Sequence, residues 1–156
     1  RAMDPKYIDE NDFFELYHNQ IESGKLEGEA FAYAIDLIRE KAESDTVAYF
    51  RRLEKIYYYL LQYKYFPEKQ GAYWVMQIRK HTSELQFLNR VSTPALRKKV
   101  EAYDHKWFSR AKLYICLETQ TDPSTFPGDI PDEWTLDTLA DDDFIESFLE
   151  EYAGKR

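Results

Sequence analysis

The chain has 156 residues, of which 44% are hydrophobic and 17% aromatic, so it can bury a substantial core and is not a disordered chain. Its single cysteine, Cys116, excludes an intrachain disulfide framework and a cysteine-rich zinc site, and it fits a reducing, cytoplasmic location. The formal charge is −8, no apolar run approaches about 18 residues, and no signal segment opens the chain, so we expect neither a membrane span nor secretion.

Charge is distributed unevenly along the chain. Residues 51–113 carry 14 Lys and Arg against 5 Asp and Glu, a net +9, whereas the remaining residues carry 7 and 24, a net −17. A basic middle between acidic ends is either neutralised within the molecule or available to an anionic partner. We favour neutralisation within the molecule.

The apolar spacing of the first half predicts three helices. Residues 1–8 are set aside as a vector-derived remnant and an N-terminal lead-in. The first apolar stripe covers residues 13–21 and ends at Gly24, and the second covers residues 31–42. The third covers residues 47–61, with Ser44 and Asp45 as caps at its start, and Pro67 stops it.

Two further main helices are predicted in the second half. The fourth covers residues 74–89, and the fifth begins with Thr93 as cap and Pro94 at its first position and reaches about Glu118. Residues 120–134 contain three prolines and a glycine, which indicates a loop. Thr135 can then cap a short turn before a last short helix. We therefore predict an all-α, single-domain helical bundle of about five main helices, with its core in residues 9–119.

Residues 135–156 are predicted to be an acidic C-terminal segment docked on that bundle. Its apolar residues are regularly placed from Trp134 to Leu149, and a segment this short does not hold a helix alone in water. We expect the apolar residues to anchor the segment and the charges to orient it. The basic helix 97–112 is the best electrostatic match in the chain.

The stretch "YYYLLQYKYFPEKQGAYW" at residues 57–74 could be an aromatic platform or a core. Its aromatic residues surround the helix instead of lining one stripe, which is typical of a central helix in a bundle. Stacking of single-stranded bases would need these rings to be exposed beside Lys64, Lys69 or the following basic residues. We favour the core, and the predicted structural core residues are Leu60, Leu61, Trp74 and Trp107.

Familiar catalytic and metal-binding patterns are not found in the sequence. His18, His81 and His105 lie far apart, and the pair Glu101 and His105 is most simply a solvated i,i+4 pair. Glycine-rich phosphate loops and nucleophile elbows are absent, and Cys116 is most simply a small core residue. No catalytic residue can be named, and we expect no cofactor, no metal and, on balance, no enzymatic activity.

One basic face is a candidate for binding a partner. Lys99, Lys106 and Arg110 share a face of the fifth helix, and Arg79 and Lys80 would lie near it if the fourth and fifth helices packed antiparallel. Three interpretations stay open for this face. It is a solvated surface, it receives the acidic C-terminal segment, or it binds an external acidic protein or nucleic acid.

Five segments occur in the order found in a bacterial family, and the chain resembles that family over residues 9–148. They are "YYYLLQYKYFPEK", "AYWVMQI", "STPALRKKVEAY", "AKLYICLET" and "FPGDIPDEWTLDTLADDDFI". The family is domain of unknown function family 29. The resemblance implies an all-α fold and no established activity. Tyr59 stands where members commonly have histidine, and Gln70 and Thr82 stand where arginines are common, so no activity that depends on those groups is expected.

We therefore predict a cytoplasmic, non-enzymatic protein–protein interaction module with an unknown protein partner, no membrane contact and an open oligomeric state. The alternative is a nucleic-acid-associated protein that uses the basic helix 97–112 with nearby aromatic residues.

Overall fold

The computed structural model of the chain describes residues 28–154, apart from the side chains of residues 28–33, 38, 42 and 43. The regular structure in this range is entirely helical, so the predicted all-α fold is confirmed. The predicted first helix, residues 13–21, lies outside the described residues. The helices are α1 Gly28–Tyr65, α2 Ala72–Val91, α3 Pro94–Tyr103, α4 His105–Thr119, α5 Leu136–Leu139 and α6 Asp142–Tyr152, with 3-10 turns at Pro67–Lys69 and Pro123–Thr125.

The chain divides into two compact units, Arg1–Asp45 and Thr46–Arg156. The described part of the first unit is the N-terminal portion of α1, where Lys41 Nζ lies 3.1 Å from Asp45 Oδ1, one helical turn away. The second unit contains the rest of α1 and all later helices. Every contact between helices described below lies within this second unit.

Helix α1 is continuous where two helices were predicted. Ser44 and Asp45 lie inside it instead of capping a new helix, so the predicted break is wrong. A capping residue begins a new helix only where the preceding helix has ended. Residues 29–66 contain neither glycine nor proline, the residues that usually end a helix, so the helix continues through Ser44. The predicted end is confirmed, because Phe66 adopts an extended conformation (φ −121°, ψ 103°) before Pro67.

The predicted fifth helix begins as expected but is divided in two. The Thr93 side chain accepts a hydrogen bond from the Leu96 N–H at 3.1 Å, and Pro94 occupies the first turn. At Asp104 the chain passes from α3 to α4 with helical dihedral angles (φ −66°, ψ −22°). The Asp104 carbonyl accepts from both Trp107 N at 3.0 Å and Phe108 N at 3.1 Å, which is the tightened turn typical of a short 3-10 interruption.

The part of α1 that belongs to the second unit, from Thr46 on, lies at its centre, and the aromatic stretch forms the core. The side chains with almost no exposure include Tyr49, Leu53, Ile56, Tyr57, Leu60, Leu61 and Tyr63. The hydroxyls of two of these tyrosines have polar partners. Tyr49 Oη donates to Asn89 Oδ1 at 2.9 Å, and Tyr63 Oη donates to the Leu149 carbonyl at 2.8 Å. Tyrosine therefore fills the core here without leaving a buried hydroxyl unpaired.

Two of the four predicted core residues are only half-buried. Leu60 and Leu61 are fully buried, but Trp74 is partly exposed beside the core, and Trp107 lies at its edge. Phe108 is the α4 residue that enters the core, at 1% exposure. Successive residues of a helix are rotated by about 100°, so burying Phe108 turns Trp107 toward the surface. Placing Trp107 in the core was therefore wrong by one position.

The C-terminal segment packs onto the central helix mainly through apolar side chains. Six of them are buried: Trp134, Leu136, Leu139, Ile145, Phe148 and Leu149. The Trp134 ring stacks on Tyr57 with centroids 6.3 Å apart, and Tyr63 packs against Phe148 at 6.1 Å. Thr135 and Thr138 form a reciprocal capping box that starts α5.

The polar partner of this segment is α2, so the prediction that the basic helix 97–112 would orient it is wrong. Arg79 makes a bidentate pair with Glu146, with both N–O distances at 2.8 Å. One turn before Glu146, Asp142 Oδ1 accepts a hydrogen bond from the Gln86 side-chain amide at 2.6 Å. In α5, the Leu136 carbonyl accepts a hydrogen bond from the Asn89 side-chain amide at 2.9 Å. Burial of the apolar residues brings α5 and α6 against α2, and the charges available on that helix then decide the pairing.

No helix in residues 28–154 combines the length and the apolar character that crossing a membrane requires.

Candidate functional site

The five predicted partner-binding residues are all exposed, and they are distributed over three helices. Arg79 and Lys80 lie on α2, which packs against α5 and α6. The Arg79 guanidinium is occupied by Glu146 and holds the pKa of that carboxyl below its ordinary value. Lys99 lies on α3, and Lys106 and Arg110 lie on α4. Of the five, Arg79 is therefore engaged within the protein itself.

Two other basic residues of the helix 97–112 stabilise the fold. Arg97 Nη1 donates to the carbonyls of Asn89 and Ser92 and to the Ser92 hydroxyl, each at 3.0 Å, and so closes the C-terminus of α2. Lys112 Nζ donates to the carbonyls of Pro127 and Gly128 at 2.8 and 3.2 Å and holds the loop that follows α4. Neither side chain is free to serve a partner without releasing these backbone groups.

A groove lies between α1 and α4, and Arg110 is one of the residues that line it. It consists of two depressions of about 210 and 300 Å³ that share Glu54 and Lys55. The first is also lined by Val47, Phe50, Arg51, Trp107 and Arg110. The second is also lined by Tyr58, Tyr59, Tyr114 and Glu118. We call these two depressions together the α1–α4 groove.

Helical spacing places the groove residues in facing rows. On α1, Phe50, Glu54 and Tyr58 are spaced one turn apart, and on α4, Trp107, Arg110, Tyr114 and Glu118 follow one face. Three pairs join the rows in order. Phe50 stacks on Trp107 at 5.2 Å, Glu54 pairs with Arg110 at 3.2 Å, and Tyr58 donates a hydrogen bond to Glu118. Since both rows advance in the same direction, α1 and α4 run parallel at this face.

Arg110 is held in the groove by contacts with two aromatic rings. Its guanidinium lies 5.3 Å from the Trp107 ring and 5.4 Å from the Tyr114 ring, and its Nε donates to Tyr114 Oη at 3.0 Å. Half of its side chain remains exposed, whereas Glu54 is only 15% exposed. A planar guanidinium held between two aromatic rings is oriented in advance and still accessible from solvent.

Two tyrosines of the groove, Tyr58 and Tyr59, are protonated at neutral pH. Burial, and then the hydrogen bond to Glu118, raise the pKa of Tyr58 above its ordinary value of 10.0. Burial and the hydrogen bond with Tyr73 raise the pKa of Tyr59 as well. Both hydroxyls stay protonated, so they suit recognition of an acceptor better than acid–base chemistry.

A buried histidine supports the groove from behind. The His81 ring, at 7% exposure, stacks on Tyr59 with centroids 5.4 Å apart. Burial and the neighbouring Arg52 lower the pKa of His81 to about 4, so the ring is neutral at pH 7. Arg52 donates to His81 Nδ1, which makes Nδ1 the acceptor and places the ring proton on Nε2.

Metal-ligand geometry is not seen in the part of the chain that the structure describes, where no three His, Cys, Asp or Glu side chains form a group able to hold an ion. Cys116 is a free thiol, partly buried against the core.

Sequence reasoning identified Arg110 and Lys106 but missed the α1 side of the groove. Phe50, Glu54 and Tyr58 were visible as an i, i+4, i+8 row, yet a row on one helix does not indicate which helix it faces. The pairing of this row with α4 follows only from the fold, since the paired residues are about 55–60 positions apart.

Comparison with protein families gives a match over most of the chain. The family model described as "Domain of unknown function DUF29" matches residues 9–145, nearly the whole chain. Neither curated proteins nor solved structures gave a match. The residues matched include all of α1–α5 and the start of α6, and with them both sides of the groove. This chain belongs to the DUF29 family of domains of unknown function.

Proposed function

We propose that this domain is a non-enzymatic protein-interaction module that binds a partner segment in the α1–α4 groove. The observation that carries the proposal is Arg110, fixed between Trp107 and Tyr114 at an open, concave surface. Trp, Tyr and Arg are the residue types that dominate binding energy at protein interfaces. Here all three occur together, and their orientation is set before any partner arrives.

Charge favours an acidic partner segment. The groove is lined by Arg51, Lys55 and Arg110 against Glu54 and Glu118, and Glu54 already pairs with Arg110. Lys99 on α3 and Lys106 on α4 are also exposed. We therefore propose a segment with one aromatic or aliphatic anchor for the ring-lined floor and carboxylates for the basic rim.

Single-stranded nucleic acid is the competing ligand. The stack of Trp107 and Arg110 on a basic helix also resembles a base-stacking surface. Glu54 and Glu118 line the same groove, however, and would lie against a phosphate backbone. Arg79, Arg97 and Lys112 are already engaged by acceptors of the protein itself. These features support the protein partner over nucleic acid.

The test compares four immobilised proteins in capture from the source cells: the wild type, Trp107→Ala, Arg110→Lys and the control Met76→Ala. Met76 is exposed on α2 outside the groove. We expect one partner to be retained by the wild type and the control and lost by both groove variants. Its acidic segment, made as a peptide, should then bind at least about tenfold more weakly to the groove variants in calorimetry.

Arg110→Lys separates the two functions because it keeps the positive charge and removes the planar group. A protein interface that uses the stacked guanidinium loses affinity, whereas a phosphate backbone that uses the charge does not. The proposal fails if the captured protein is retained equally by Trp107→Ala. It also fails if a single-stranded oligonucleotide binds with a steep salt dependence and Arg110→Lys leaves that binding intact.

A further inference from the structure

A second concave surface lies between α1 and α2. It is a cavity of about 470 Å³, within the range of about 300–1,000 Å³ typical of small-ligand sites. Three residues of α1 and five of α2 line it: Ala48, Arg51, Arg52, Ser83, Glu84, Phe87, Leu88 and Arg90. Arg51 is the one lining residue that this cavity shares with the α1–α4 groove, and its other seven lining residues belong to this cavity alone.

The cavity carries an excess of positive charge. Three arginines line it against one glutamate. Arg52 is fully engaged, because one of its terminal nitrogens pairs with Glu84 and the other donates to His81. Arg51 and Arg90 are exposed, and neither forms an ion pair with any residue in the described part of the chain. Two guanidinium groups from neighbouring helices therefore remain available at one concave site.

The rest of the lining suits a planar ring. Phe87 is 57% exposed at the rim, and Leu88 and Ala48 supply apolar wall beside it. Ser83, one turn before Phe87, adds a hydroxyl that can donate or accept. An exposed phenyl face next to two unpaired arginines offers stacking and charge recognition in the same site.

We propose that this cavity binds a small phosphate monoester that carries a planar ring. Arg51 and Arg90 take the phosphate, and Phe87 stacks on the ring. The net charge of the lining, +2, matches a phosphate dianion better than a single carboxylate, and the planar fork of arginine fits phosphate oxygens in pairs. Arg52 also lines the cavity, but its guanidinium is already engaged by Glu84 and His81.

The experiment is calorimetric titration of the full chain with four probes: adenosine monophosphate, phenyl phosphate, inorganic phosphate and adenosine. We expect the two ring-bearing phosphates to bind more tightly than inorganic phosphate, and adenosine to bind most weakly. Arg90→Ala should weaken both ring-bearing phosphates at least about tenfold. Phe87→Ala should weaken them to the level of inorganic phosphate. Arg51 also lines the groove, so these two variants test this cavity alone.

Lys80→Ala and Met76→Ala are the matched controls, because both residues are exposed on α2 and line neither this cavity nor the groove. Both should bind like the wild type, and circular dichroism should show that all variants are folded. Amide chemical shifts of the wild type should change around residues 83–90 on addition of phenyl phosphate. The proposal is overturned if adenosine binds as tightly as its monophosphate, if no phosphate binds, or if Arg90→Ala leaves the affinity unchanged.

Discussion

Replacing Trp134 by alanine should show that apolar contacts hold the C-terminal segment on the fold. Trp134 is 4% exposed and lies in the turn just before α5. Its ring stacks on Tyr57 at 6.3 Å and meets the rings of Phe108 and Phe148 edge-on at 6.4 and 6.0 Å. It therefore connects α1, α4 and α6, and its removal leaves a space that none of the three can fill alone.

The expected cost is about 3–5 kcal/mol, the usual range for Trp→Ala in a core. A domain of this kind has a free energy of unfolding of about 5–15 kcal/mol, so the variant should lose a large part of it. The matched variant is Glu146→Gln, which breaks the pair with Arg79. Both partners are more than half exposed, with side chains at 57% and 52%, so this loss should stay below about 1 kcal/mol.

The assay is urea unfolding at pH 7, followed by far-ultraviolet circular dichroism because the substitution removes a fluorophore. With a slope of about 2 kcal/mol per molar urea, Trp134→Ala should lower the midpoint by about 2 M and Glu146→Gln by less than about 0.5 M. Equal shifts of the two midpoints would refute the reasoning. They would mean that the ion pair, and not the ring cluster, holds the segment.

Three other predictions concern α3, α4 and the junction between them. Phe108→Ala should lower the free energy of unfolding by about 3–5 kcal/mol and Trp107→Ala by about 1–2 kcal/mol, since only Phe108 is buried. Thermal unfolding will separate the two variants, and a reversed order of stability would contradict the packing of α4. Arg97→Ala should lower the free energy of unfolding by about 1–3 kcal/mol because it leaves carbonyls at the end of α2 unpaired, whereas Lys98→Ala, at an exposed position, should change it by no more than about 0.5 kcal/mol. Similar urea midpoints for the two variants would rule out this capping role. Burial first, and then Glu101, raise the pKa of Asp104 from 3.8 to about 6, so its carboxylate costs stability above pH 6 and the cost disappears as pH falls toward 3.8. Asp104→Asn should therefore raise the free energy of unfolding at pH 8 by about 1 kcal/mol, a value reduced for solvent screening, and should have almost no effect at pH 4. Urea unfolding at both pH values checks this, and a stability gain that persists at pH 4 would show that the Asp104 charge is not its cause.

Local features of the chain were predictable because neighbouring residues decide them. The helical period, the end of α1 before Pro67, and the start of α3 at Thr93 and Pro94 depend on steric and hydrogen-bonding preferences within a few residues. The helix break predicted at Ser44 was wrong because it was inferred from capping preference alone. A capping residue permits a helix start but does not require one, and the i,i+4 pair of Lys41 and Asp45 is compatible with a continuous helix.

The sequence by itself determined that this protein is helical, about where α1, α2 and α4 end, and that its aromatic stretch belongs to a core. Only the tertiary structure decided that Arg79 pairs with Glu146, 67 residues away, and that Phe50 and Trp107 meet across the groove. It also decided that Phe108, and not its neighbour, enters the core. The physical reason is that periodicity specifies which residues share a face of one helix, whereas the rotation of that helix and its neighbours are set by packing all the apolar faces together.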